Sequence, residues 1–227
     1  MNGQSGKIGI VGAGSVGATI AFACLLRGIG KHISLFDVIR DKVDAQVLDL
    51  NHGLMFEPMA TVDGSDKMKV LANSDVIVVT AGAKQRPGQT RMALAEANVE
   101  MCRHLIPELV RVASQAILLM VTNPVDVVTY VSLKLSGLEN NRVLGSGCVL
   151  DGARFRFLIA QHCGVAVQNV HAYIAGEHGD SEVPLWSGAT IGSIPVSGWD
   201  VSGFGMMTEN DQREIEEQVR SSAYKII

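Results

Sequence analysis

A doubly wound parallel α/β sheet, followed by a smaller second unit, is the fold class that this 227-residue sequence predicts. Three observations predict it. Short β-branched runs alternate with segments of helix length as far as Gly145, the pattern of a parallel sheet covered by helices. The glycine-rich turn "GAGSVG" (Gly12–Gly17) joins the first run to the first helix. Hydrophobic residues make up 47% of the chain and charged ones 19%, enough apolar surface for a sizeable core and too much for a disordered chain.

"KIGIVG" (Lys7–Gly12) is short and β-branched, fit for a strand buried on both faces. "SVGATIAFACLLRG" has helix length, opens with Ser15 and closes at Gly28. "HISLFDV" (His32–Val38) is a second strand, and "RDKVDAQVLDLNHG" (Arg40–Gly53) an amphipathic helix with a glycine cap expected at its end. "SDVIVVTAG" (Ser74–Gly82) is another strand, after which "GAKQRPGQT" breaks the pattern with two glycines and a proline. A long helix is expected from Arg91 to about Ser114, kinked at Pro107. "AILLMVTNP" (Ala116–Pro124) is a strand that stops at a turn, and "VDVVTYVSLKL" (Val125–Leu135) a helix. Beyond Gly145 the pattern changes. "DGARFRFLIAQHCG" (Asp151–Gly164) reads as a helix, Ser187–Gly205 as short runs rich in Ser, Gly and Pro, and "TENDQREIEEQVRSSAYKII" (Thr208–Ile227) as a charged amphipathic helix. Two domains are expected, residues 1–145 and 146–227.

The formal net charge is −4 and the chain has no Lys/Arg run, which argues against a nucleic-acid partner. Cys24, Cys102, Cys148 and Cys163 lack C-x-x-C spacing and read as thiols of a reducing compartment. From Ile8 to Leu26 nineteen residues run without a charge, the length of a membrane span. Glycines crowd the first half of that stretch, so a strand, a tight turn and a buried helix explain it better. A cytoplasmic protein without a membrane partner is the expectation.

Gly12 to Gly17 fits G-x-G-x-x-G between a predicted strand and a predicted helix, the Rossmann pattern. Gly12 allows the turn, Gly14 lets a pyrophosphate approach the backbone, and Gly17 lets helix and strand pack closely. Asp37 lies twenty residues past Gly17, at the end of the next strand, where a carboxylate accepts ribose hydroxyls. An acid there repels a 2′-phosphate, so NAD is favoured over NADP; a mononucleotide or a flavin is compatible with the same residues. "AGEHGDSEVPLW" (Ala175–Trp186) suggests a second site. It sets His178, a side chain able to trade protons near neutral pH, between glycines and among carboxylates that favour its charged form.

Taken in order, "GAGSVG", "LFDV", "TAGAKQRPGQTR", "VTNPVDV", "VLDGARFR" and "GEHGDSEVPLWS" resemble the L-lactate/malate dehydrogenase family, from Lys7 to about Tyr224, and within it the bacterial lactate branch. The resemblance implies reversible hydride transfer between NAD and a small 2-hydroxy acid, L-lactate to pyruvate. It implies that His178 is the proton donor and acceptor, oriented by Asp151, which also stabilises the imidazolium. Arg154, one helical turn from Asp151, matches the arginine that grips the substrate carboxylate with a bidentate fork. Arg91 matches the arginine of a mobile loop that polarises the reacting carbonyl. Gln85 stands where malate dehydrogenases usually carry an arginine; a neutral side chain leaves the second carboxylate of oxaloacetate unpaired and suits the methyl of pyruvate, although Arg86 is adjacent. Asn123 matches an asparagine that contacts substrate oxygen and nicotinamide, with a cis peptide implied before Pro124. The cofactor set expected on this basis is Gly12, Gly14, Ser15, Val16, Gly17, Asp37, Lys42, Gly82, Ala83, Val121 and Asn123. Arg156 and His171 match positions that bind fructose 1,6-bisphosphate in allosteric bacterial members, and family members are commonly homo-oligomers, tetramers above all.

Cys148 and Gly152 depart from the Thr and the Ser or Thr common at those positions, and Gly152 costs its helix about 1 kcal/mol. Family chains run beyond Ile227, adding a threonine that lines the substrate pocket. The expectation is therefore an incomplete α+β substrate domain, exposed apolar surface, and weak or no turnover unless the remainder is supplied. Two other readings stand beside the lactate one. The chain is a malate dehydrogenase or another 2-hydroxy-acid dehydrogenase, or it is a non-catalytic dinucleotide-binding fragment that holds NADH without turnover.

Overall fold

The first unit, Met1–Gly145, is organised around the strand that precedes the glycine turn. The computed structural model describes residues 6–83, 91–201 and 205–226. Six strands, β1 (Lys7–Val11), β2 (His32–Phe36), β3 (Thr61–Ser65), β4 (Val76–Val79), β5 (Ile117–Met120) and β6 (Val143–Gly145), pair in parallel in the order β3-β2-β1-β4-β5-β6. Four helices, α1 (Ser15–Leu26), α2 (Arg40–Gly53), α3 (Arg91–Val112) and α4 (Val125–Ser136), occupy the connections. The strand order reverses between β1 and β4, and the carboxyl ends of those two strands are where a doubly wound sheet binds its ligand.

Period-2 alternation explains why the strands read as almost continuously apolar. Ile10 of β1 packs with Ile33, Leu35, Ala21, Leu25 and Val43, whereas its neighbour Val11 packs with Ile77, Val79, Cys102, Ile106 and Leu109. Both faces of the sheet are buried, and each such Ile or Leu contributes about 1.5–3 kcal/mol. The charge-free stretch from Ile8 to Leu26 resolves into β1, a turn and a twelve-residue helix. Among the described residues no helix is long and apolar enough to cross a membrane.

Several local expectations need correction. Strands β3 and β6 are additions. Gly53 is not a left-handed cap: it has φ −79°, and the chain continues into a 3-10 turn at Leu54–Phe56. Helix α3 holds Pro107 within it and ends at Val112, short of the expected Ser114. The Asn123–Pro124 peptide is cis, as the resemblance implies.

The second unit, Ser146–Ile227, places short antiparallel pieces between two helices. In chain order these are α5 (Val149–Cys163), β7 (Val170–His171), β8 (Ile174–Ala175), β9 (Val183–Pro184), β10 (Thr190–Ile191), β11 (Ile194–Pro195), β12 (Asp200–Val201), β13 (Gly205–Met206) and α6 (Glu209–Ile226). Gly164, at φ +64°, ends α5 in the left-handed conformation that a glycine adopts without a Cβ penalty. Thr208 and Asp211 cap the start of α6 reciprocally: the Asp211 N–H donates to Thr208 Oγ1 at 3.2 Å, and the Thr208 N–H donates to Asp211 Oδ2 at 2.7 Å. The core of this unit gathers Phe155, Ile159, Val170, Ile191, Ile215 and Val219, with the Phe155 and Trp186 rings edge to face at 4.6 Å.

Candidate active site

Two clusters of polar groups stand out, one in each unit. In the first, Gly12 leaves β1 with φ +102°, and a Cβ there would lie 2.8 Å from the Ala81 nitrogen. A Cβ on Gly17 would lie 1.9 Å from the Gly12 oxygen, so close packing of helix and turn excludes any side chain. Gly14 differs: a Cβ would meet only Lys42 Nζ, at 3.7 Å, which leaves its backbone open to a ligand. No side chain caps α1 and its first turn holds no acid, so the amide groups at Ser15, Val16 and Gly17 remain for an anion. Asp37, at the end of β2, accepts the Ala13 N–H at 2.9 Å and Lys42 Nζ at 3.0 Å on one oxygen, and the Ile39 N–H at 3.1 Å on the other. Burial pushes this carboxyl up, but Lys42 and the two amides outweigh it and hold it below its ordinary value. An anionic acceptor beside an open glycine turn and an uncapped helix fits a dinucleotide.

The ends of β4 and β5 are tied together by a residue that sequence reading missed. Asn98, buried inside α3, accepts the Ala83 N–H at 2.8 Å and donates to the Asn123 carbonyl at 2.6 Å. Thr122 Oγ1 donates to the Ala81 carbonyl at 2.6 Å, and the Val121 N–H donates to Val79 at 2.9 Å. A Cβ on Gly82 would sit 2.3 Å from Thr122 Cγ2, so glycine is required there. Gly82, Ala83, Val121 and Asn123 are thus held at the carboxyl edge of the sheet. The only hint in sequence was an amide amid the apolar positions of "ALAEANVEMC". Gln85 and Arg86 lie outside the described residues; Arg91 is the first residue of α3.

In the second unit, Asp151 sits in the first turn of α5 with only 3% of its side chain exposed. Its Oδ1 accepts Arg154 Nη1 at 2.9 Å, and its Oδ2 meets His178 Nδ1 at 2.5 Å. The i, i+3 spacing sets the arginine beside the acid, while His178 arrives on the loop between β8 and β9, flanked by Gly176 (φ +92°) and Gly179 (φ +148°). Burial pushes the Asp151 carboxyl up; the His178 hydrogen bond and charge, then Arg154 and Glu182, outweigh it, and the group is held below its ordinary value. Glu182, treated in the sequence as one more carboxylate of the loop, is buried, with a carboxyl oxygen within 4.8 Å of one of Asp151. Burial, and next the Asp151 charge, push it up to about 7. Cys148, Asp151 and Glu182 bring ligand-type atoms within 4.8 Å of one another, but both Asp151 oxygens already serve Arg154 and His178.

Arg156 is separated from this cluster by its helix position. Its Nε donates to the Ala172 carbonyl at 2.7 Å and its guanidinium lies 4.7 Å from the centre of the Tyr173 ring. It is therefore tethered, not a free cationic edge. His171 is exposed on β7.

Comparison with known proteins bears on both clusters. Residues 6–145 match the NAD binding domain of lactate/malate dehydrogenase, and residues 148–227 match the alpha/beta C-terminal domain of the same family. The chain is 51% identical to an L-lactate dehydrogenase of Bifidobacterium animalis subsp. lactis over 97% of its length and 69% of that protein. It is 45% identical to an L-lactate dehydrogenase of Acetivibrio thermocellus, with the same shares covered. A crystal structure of a lactate dehydrogenase from a Medee basin deep-sea metagenome library superposes with a TM-score of 0.92 at 38% identity, covering 98% of this chain and 71% of that one.

Proposed function

The chain belongs to the lactate/malate dehydrogenase family and is an NAD-dependent oxidoreductase of the L-lactate dehydrogenase kind, and from that premise we propose how its residues divide the work. One observation carries the assignment: a single buried carboxylate, Asp151, binds His178 on one oxygen and Arg154 on the other. NAD supplies the hydride chemistry when bound. With Nδ1 given to Asp151, His178 exchanges its proton through Nε2. It takes the hydroxyl proton of lactate in one direction and returns it to the carbonyl oxygen of pyruvate in the other. Asp151 fixes the tautomer and stabilises the imidazolium. Arg154 has four N–H donors beyond the one given to Asp151, and these bind the substrate carboxylate as a fork.

Arg91 polarises the reacting carbonyl, Asn123 orients it, and the neutral Gln85 suits a substrate with a methyl group in place of a second carboxylate. Ser15, Val16 and the three glycines of the turn hold the pyrophosphate; Asp37, steadied by Lys42, takes the ribose hydroxyls; Gly82, Ala83, Val121 and Asn123 line the path toward the nicotinamide. Residues 1–145 serve as the NAD-binding domain and 146–227 as the substrate domain. Arg156 offers a guanidinium and His171 a ring N–H for fructose 1,6-bisphosphate, which should lower the apparent pyruvate KM; an unchanged KM at saturating effector refutes that role. A cytoplasmic homo-oligomer acting in fermentation is the setting this reading supposes.

The test is NADH oxidation with pyruvate and with oxaloacetate. Pyruvate should be preferred, and His178→Asn should lower kcat on the order of 10²- to 10⁴-fold while NADH affinity holds. An H178N variant as fast as its parent would overturn the assignment.

A further inference from the structure

Glu182 is unused by the mechanism above, yet it is 4% exposed, close to the 2% of Asp151. An oxygen of each carboxyl and Cys148 Sγ lie within 4.8 Å of one another. Two buried carboxyls this close oppose each other's ionisation, and the less well partnered one keeps its proton to higher pH. Arg154 and the Nδ1 of His178 both engage Asp151, which makes Asp151 the anion and Glu182 the acid. We propose that Glu182 is a proton-holding positioning residue: its O–H donates to Asp151, fixing that carboxylate between Arg154 and His178, and its ionisation makes the Asp151–His178 pair sensitive to pH. The role in catalysis rests on the proposed function; the proton coupling does not.

The groups around Glu182 come from three elements. Helix α5 supplies Asp151 and Arg154, with Cys148 at its N-cap, the loop supplies His178, and α6 supplies Arg220. His178 and Arg220 favour its ionisation, but burial and Asp151 oppose it more strongly, consistent with a carboxyl pushed up to about 7. When Glu182 ionises, a second negative charge joins Asp151 and the imidazolium is harder to discharge. A protonated Glu182 therefore favours the neutral His178 that accepts a proton from lactate; an ionised one favours the imidazolium that donates to pyruvate.

Carbon-13 NMR of the Glu182 Cδ in the unsubstituted chain, together with the ring resonances of His178 in that chain and in Glu182→Gln, tests this. The amide keeps a donor to Asp151 but cannot ionise. Glu182 should titrate around 7, and the His178 midpoint should fall by roughly one pH unit in E182Q. A Glu182 that titrates near 4.5, or a His178 midpoint unmoved in folded E182Q, overturns the proposal. Should E182Q fail to fold, the Glu182 carbon of the unsubstituted chain decides by itself. These readouts need no turnover, so they separate failure of the coupling from failure of the dehydrogenase assignment. In the kinetics, the alkaline limb of pyruvate reduction and the acid limb of lactate oxidation should both move down with the His178 midpoint; limbs that stay put overturn its catalytic consequence.

Discussion

Replacing Asp151 with Asn removes one charge and keeps the shape, and the structure sets the size of the effect. In the parent, Arg154 is 18% exposed and Asp151 3% exposed, with 2.9 Å between the paired atoms. Breaking a fully buried pair costs about 3–5 kcal/mol; Arg154 keeps some water, so about 2–3 kcal/mol is expected. The catalytic loss is larger. An Asn amide turned toward Nδ1 selects the wrong tautomer, a loss on the order of 10³- to 10⁴-fold in kcat, or roughly 4–5.5 kcal/mol of barrier. Stability is read by tryptophan fluorescence in denaturant, which reports the second unit because both tryptophans, Trp186 and Trp199, lie in it. The sign with pH follows from the lowered Asp151 value. The stability held by this anion is fully present above its ordinary value of 3.8 and is lost as pH falls through the lower native value. The part of the gap between parent and D151N that this ion pair holds therefore closes in acid. A folded D151N variant within about threefold of the parent kcat would refute the orienting role of the carboxylate.

Gln85→Arg should swing kcat/KM from pyruvate toward oxaloacetate by at least about tenfold; an unchanged ratio in the coupled assay removes Gln85 from the specificity set. Asp37→Ser removes the anion that Ala13, Ile39 and Lys42 share, so NADH affinity should fall about tenfold and NADPH should gain relative to it, with Lys42 released from its partner. Fluorescence titration that gives the parent's NADH to NADPH ratio would contradict that account. Gly152→Ala should stabilise the second unit by about 0.5–1 kcal/mol, because a Cβ there meets only the Ile174 nitrogen at 4.0 Å within a helix that glycine weakens. A lower unfolding midpoint would show that space at Gly152 is needed for something else.

Legibility in the sequence followed physical locality. The glycine turn, β1, α1 and Asp37 were readable because turn chemistry and apolar period are set by neighbouring residues. Strands β3 and β6 were not, and both are edge strands of the sheet. An edge strand has one neighbour and little apolar demand: in "TVDGS" only Val62 is buried, and "VLG" is three residues long. Gly53 looked like a cap because it follows a helix, yet whether a glycine takes positive φ depends on where the next residues must go.

By itself the sequence determined a parallel sheet with its glycine turn, the acid at the end of the second strand, and the motifs that carry the family. Only the tertiary structure decided which polar groups meet in a hydrogen bond. Asp151 and His178 are 27 residues apart, and Asn98 and Asn123 are 25. Glu182 was legible as a loop carboxylate and illegible as a buried acid against Asp151. The reason is that desolvation and charge act through space. A side chain's protonation depends on what the fold packs around it, which no local pattern of residues records.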